Sequence, residues 1–107
     1  MQKDNKRFIV TSAALMIFCV LPATAQSVIF GGSDCGQWFK NKEISSTWLL
    51  GYLSGINAAI SKGHDPLEKL NSAEQAFLWM DNYCRNNPLQ TVQIGANQLY
   101  KELQLKK

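Results

Sequence analysis

The residues of this 107-residue chain with the widest chemical repertoire are three cysteines and a single histidine. His64 stands beside Asp65 and just ahead of Pro66. A Ser-His-Asp triad needs an aspartate that orients a buried imidazole and a serine within hydrogen-bond reach of it. Neighbouring residues in a turn do not supply that, so a solvated turn histidine is expected. Glu68 and Glu74 are a poor acid–base pair, because each falls near a helix start, where an acid favours the helix dipole. With one histidine, zinc lacks a ligand set. No glycine-rich phosphate loop and no activated thiol is present. These residues predict a protein that is not an enzyme and uses no metal and no cofactor.

The cysteines separate once the N-terminus is considered. Lys3, Lys6 and Arg7 precede an apolar run from Phe8 to Leu21, and Pro22 and Ala23-Thr24-Ala25 follow. A basic start, an apolar middle and a small-x-small exit make a Sec-type signal peptide, cleaved after Ala25. The run would span only ~21 Å as a helix, short of a ~30 Å hydrocarbon core. Phe18 is too bulky to precede a lipid-modified Cys19. The expectation is a signal peptide at 1–25, a lead-in at 26–33, a helical domain at 34–107 and a periplasmic location without a stable membrane anchor. Cys19 leaves with the signal. Cys35 and Cys84 then meet an oxidising compartment and are expected to pair. Closing a loop of about fifty residues contributes ~4 kcal/mol on the chain-entropy model.

The remaining domain of about eighty residues is near the lower size for a self-sufficient core. It carries eight Lys/Arg against seven Asp/Glu, with no basic stripe that would suit nucleic acid. Its apolar residues recur at helical spacing, and no period-two strand of useful length is present. Asp34 can cap a short helix with Cys35, Trp38 and Phe39 on one face. A second helix is expected from about Ser46 to Ser61, capped by Ser45 or Ser46 and ended by Gly63. Trp48, Leu49, Tyr52, Leu53, Ile56 and Ile60 make its apolar face. Gly51, Gly55 and Ala59 form a separate small-residue stripe. The first expectation for that stripe is a tight crossing with another helix of the chain; the second is a partner or homodimer surface.

Gly63-His64-Asp65-Pro66 reads as a turn, with one helical turn over Leu67 to Leu70. A third helix is expected from Asn71 or Ser72 to about Asn86, with Glu74 completing a capping box. Ala73, Phe77, Met80 and Cys84 share one face, so Cys84 points inward, as Cys35 does. Asn87 can cap a fourth helix with Pro88 at its first position. Leu89, Val92, Ala96, Leu99 and Leu103 would be its buried stripe. The fold class predicted is all-α, a small four-helix orthogonal bundle closed by one disulfide. Trp48, Tyr52 and Trp79 join Gly51 and Gly55 as the candidate partner surface, because Trp and Tyr are favoured where proteins meet.

Cys35, with Trp38 and Phe39 three and four residues on, Trp48, and the run Tyr83-Cys84-Arg85-Asn86-Asn87-Pro88 resemble the HdeA/HdeB family of small periplasmic acid-stress chaperones. The resemblance runs from Cys35 to about Leu103. It implies an all-α fold with the Cys35–Cys84 bond and a holdase that protects unfolded client proteins. The runs Gly51 to Gly55 and Phe77 to Asn82 have no counterpart in it. At the level of architecture alone, the chain is also similar to periplasmic immunity proteins that block type VI secretion amidase toxins. Either resemblance implies a protein partner.

Overall fold

The computed structural model describes residues 28–107; the expected signal peptide and its cleavage site lie outside them. Among the described residues there are four α-helices: α1 (Cys35–Lys40), α2 (Lys42–Ile60), α3 (Ala73–Asn86) and α4 (Val92–Leu105). A 3-10 turn at Pro66–Lys69 joins α2 to α3. No strand occurs among the described residues, only an isolated bridge between Asp34 and Thr91. None of these helices is long and apolar enough to cross a membrane.

The core collects residues from every helix, one turn from α1 and three from α4. Trp38, Leu49, Met80, Val92 and Ala96 are wholly removed from solvent, with Leu53, Leu99 and Leu103 almost so. Helix α3 packs on α4, α4 on α2, and α1 on both α2 and α3. The Cys35–Cys84 disulfide crosses the α1–α3 contact, and both cysteines are buried. The two helix faces that placed them inward in the sequence meet as expected.

Helix starts follow capping chemistry. Asp34 Oδ1 accepts from the Gln37 amide at 2.8 Å. Thr91 Oγ1 accepts from the Ile94 amide at 3.2 Å. These two caps lie back to back: the Cys35 amide donates to the Gln90 carbonyl and the Val92 amide to the Ser33 carbonyl, each at 2.9 Å. The starts of α1 and α4 thus satisfy part of each other's unpaired helix-end donors.

Several expectations are corrected. Helix α2 begins at Lys42, not Ser46, and Ser45 is a buried residue within it. It ends at Ile60, before Gly63, whose positive φ of 69° serves the following turn. Asn87 does not cap the fourth helix. It closes α3, its Nδ2 donating to the Tyr83 carbonyl at 2.9 Å, and Thr91 is the cap of α4. Leu89 is therefore outside the helix and 97% exposed. Phe39 is also outward-facing; Trp38 takes the inner position on so short a helix. At the start of α3 it is Gln75, not Glu74, that reaches back, accepting from the Asn71 amide at 2.8 Å. The buried small residue of α3 is Ala76, while Ala73 is half-buried.

Candidate interaction surface

Among the described residues, the turn histidine His64 makes no hydrogen bond with Asp65. Its neighbour Asp65 spends its carboxylate on the Leu67 amide, at 2.9 Å, as the cap of the 3-10 turn. His64 itself is exposed. Among the described residues no three metal-ligating side chains gather. What the molecule does present is shaped surface, on two sides.

The first side is the part of α2 next to α4, where Trp48 and Tyr52 are half-buried against the core. Trp48 and Tyr52, one turn apart, stack with ring centroids 4.9 Å apart and planes 12° from parallel. Both ends of the stack are tied. Trp48 Nε1 donates to the Phe30 carbonyl at 2.7 Å, and Tyr52 donates its hydroxyl to Asn97 Oδ1 of α4 at 2.8 Å. Gly31 and Gly32 lie flat against the indole: a Cβ on Gly31 would come within 3.0 Å of Trp48 Cδ1. Gly31 also has a positive φ of 79°. A side chain there would be strained and obstructed at once. The lead-in is thus a strap over Trp48, with Val28 and Phe30 turned outward.

Beside the stack, Gly51 and Gly55 are exposed, and a Cβ on either would meet nothing within 4 Å. Among the described residues, no helix makes the expected close crossing with Gly51 or Gly55. Spacing of small residues signals that a close approach is allowed, not that one is made. The close approach occurs on α4. A Cβ on Gly95 would stand 2.7 Å from Tyr83 Cδ2 and 2.8 Å from Met80 Sδ. A lone glycine inside a helix carries that signal in the sequence, since it costs about 1 kcal/mol against alanine unless a neighbour needs the space.

The second side is α3 around Trp79. Its ring stacks on Tyr83, centroids 5.4 Å apart and planes 8° from parallel. Its Nε1 donates to Glu102 Oε2 at 3.0 Å. Of the sequence-predicted residues, Trp48, Tyr52, Gly51 and Gly55 come together on α2, while Trp79 is on this separate face.

Sequence reasoning missed one ionic knot, which ties α1, the start of α2 and α3. Asp81 Oδ1 accepts from Trp38 Nε1 at 2.7 Å and pairs with the Lys42 ammonium. That ammonium also lies over the Trp38 ring, 4.7 Å from its centroid. Burial pushes the Asp81 carboxyl up, but the hydrogen bonds from Lys42 and Trp38 and the charges of Lys42 and Arg85 outweigh it. The group is held below its ordinary value. Asp81 is four residues from Phe77 and three from Cys84, so it sits at the edge of a predicted core face. A carboxylate at such an edge, with a tryptophan and a lysine elsewhere, was the available signal.

Comparison of the chain with family models, with characterised proteins and with solved structures finds no match.

Proposed function

We propose that the mature chain, exported through a Sec-type signal cleaved after Ala25, is a periplasmic, non-enzymatic protein-binding domain on an orthogonal four-helix bundle. The observation that carries this reading is the α2 face. Two aromatic rings are fixed in place by the hydrogen bonds they donate to the strap and to α4, next to two uncovered glycines. Rigid aromatic rings give large contact area with little ordering cost, and bare glycine lets a partner's backbone approach closely.

Within that reading, the partner class favoured by the resemblance to the HdeA/HdeB chaperones is an unfolded client held in acid. Asp81 supports it. Protonating this carboxylate removes the charge that pairs with Lys42 and weakens the hydrogen bond from Trp38, loosening the tie between α1, α2 and α3, while the disulfide limits how far the chain can open. A dedicated partner, as for an immunity protein that blocks a toxin, is the second reading. It is favoured by the same α2 face being built while the chain is folded. One experiment separates them. A holdase suppresses aggregation of a reporter enzyme at about pH 2 to 3, with dye binding to newly exposed apolar surface. A protein that stays tightly packed there and protects nothing is not a holdase, and a dedicated partner becomes the account.

A further inference from the structure

We propose that the strap over Trp48 is a built-in pseudo-ligand: it occupies the place that an extended segment of a protein partner takes, and the partner enters by displacing it. The strap, residues 28–33, offers Trp48 what a bound peptide would. The indole N–H donates to the Phe30 carbonyl at 2.7 Å. Gly31 and Gly32 follow along the N–H edge of the ring. A Cβ on the first would lie 3.0 Å from Cδ1 and 3.1 Å from Nε1, and one on the second 3.3 Å from Cζ2. The fixed end is Ser33. Its hydroxyl shares a 3.2 Å hydrogen bond with that of Ser45, and its carbonyl accepts from the Val92 amide at 2.9 Å.

Little else holds the segment ahead of that anchor. Val28 is 76% and Phe30 85% exposed, so the strap covers a ring without burying these large side chains of its own. A segment with few buried apolar contacts opens more readily than the bundle beneath it, and the glycine pair gives it a hinge. Opening hands the indole N–H, a donor with no acceptor capacity, to water or to another carbonyl. The carbonyl that replaces Phe30 defines the occupant. A helix spends its interior carbonyls on its own amides, so the replacement comes from an extended main chain. The two residues after it are glycine, because side chains at those places crowd the indole. The positive φ of 79° at Gly31 favours glycine there as well. Gly51 and Gly55, three and seven residues after Trp48, share its side of α2. An entering chain that replaces the strap therefore also meets the bare part of this face.

The proposal rests on the α2 face as the partner surface, but the strap can be tested without acid and without a client, so the two fail separately. In the oxidised mature protein, exchange of the Trp48 indole proton is followed by NMR, with Trp48→Phe to assign it. Gly31→Val obstructs the closed strap from a position outside the helices. It is expected to speed that exchange at least about tenfold and to leave the indole proton of Trp38, held by Asp81 in the core, unchanged. A labelled peptide Val-Ile-Phe-Gly-Gly-Ser is then titrated by fluorescence anisotropy. It is expected to saturate Gly31→Val and to bind wild type at least about tenfold more weakly, because the attached strap competes at a high effective concentration. The same peptide with Ala-Ala for Gly-Gly is expected to lose about tenfold in affinity for the variant. Gly32→Val is run with the same readouts, so the outcome does not hang on one substitution. Unchanged Trp48 exchange in both variants, no saturation of either, or equal binding of the two peptides overturns the proposal. So does equal binding to wild type and variants, which would place the peptide away from Trp48.

Discussion

Two helices of this molecule carry interior glycines, and the two sites behave oppositely. On α2, Gly51 and Gly55 look out on open space. On α4, Gly95 is buried, with the Tyr83 ring and Met80 sulfur where its side chain would be. The first pair has the more suggestive spacing, yet the second site is where two helices touch. Glycine in a helix is a cost of about 1 kcal/mol that something must offset. At Gly95 the offset is internal packing. At Gly51 and Gly55 nothing within the domain supplies it, which is why that face is the candidate for a partner.

The contrast can be broken or sharpened by measurement. The largest effect is expected at the disulfide that ties α1 to α3 next to the packed site. The Cys35→Ser/Cys84→Ser variant should lose about 2–5 kcal/mol in denaturant unfolding, and unchanged stability would mean the bundle closes without it. Next comes Gly95→Ala. Its new methyl group meets two buried side chains together, so a loss of about 1–3 kcal/mol is expected; a rise in melting temperature would show that Met80 and Tyr83 yield freely.

Asp81→Asn should cost about 1–2 kcal/mol near neutral pH, since a charge-assisted pair of hydrogen bonds is weakened at a partly exposed site. Its folded pKa lies below the unfolded value of 3.8. Its contribution is therefore full above about pH 4 and fades as pH falls through the lower folded value. The stability gap between wild type and the variant should close over that acid window, and a constant gap would remove Asp81 from any acid response. The smallest effects, and the only ones of opposite sign, are at Gly51→Ala and Gly55→Ala. Each should raise stability by about 0.5–1 kcal/mol. Destabilisation at either would mean that a neighbour does cover the stripe.

Much of the bundle was legible in the chain because its signals are local. Asp34 as cap of the Cys35 helix, the inward turn of Cys84 with Met80, and the all-helical pattern each follow from spacing of three and four. Where the reading slipped, a tertiary contact decided between two local options. Asn87-Pro88 and Thr91 both offer a helix start. Thr91 prevails because it pairs with Asp34 across the bridge, while Asn87 turns back to close α3. On a six-residue helix, Trp38 and Phe39 are equally placed by period, and only the Asp81 carboxylate and the core below favour Trp38 inside. The two candidate faces were legible as residue types. That Trp79 stands apart from Trp48 and Tyr52 depends on how α3 and α4 cross, which spacing does not encode.

The back-to-back caps have a kinetic consequence. The disulfide joins positions 49 residues apart, and the bridge between Asp34 and Thr91 lies just outside it. The two closures are nested. Bringing Cys35 to Cys84 requires the chain to search over a long loop, which is slow and entropically costly. Once that bond exists, Ser33 and Val92 are separated through it by only a short tether, and loops of about ten residues close in ~10–100 ns. With the disulfide in place, the strap therefore needs only a short-range closure to reach Trp48.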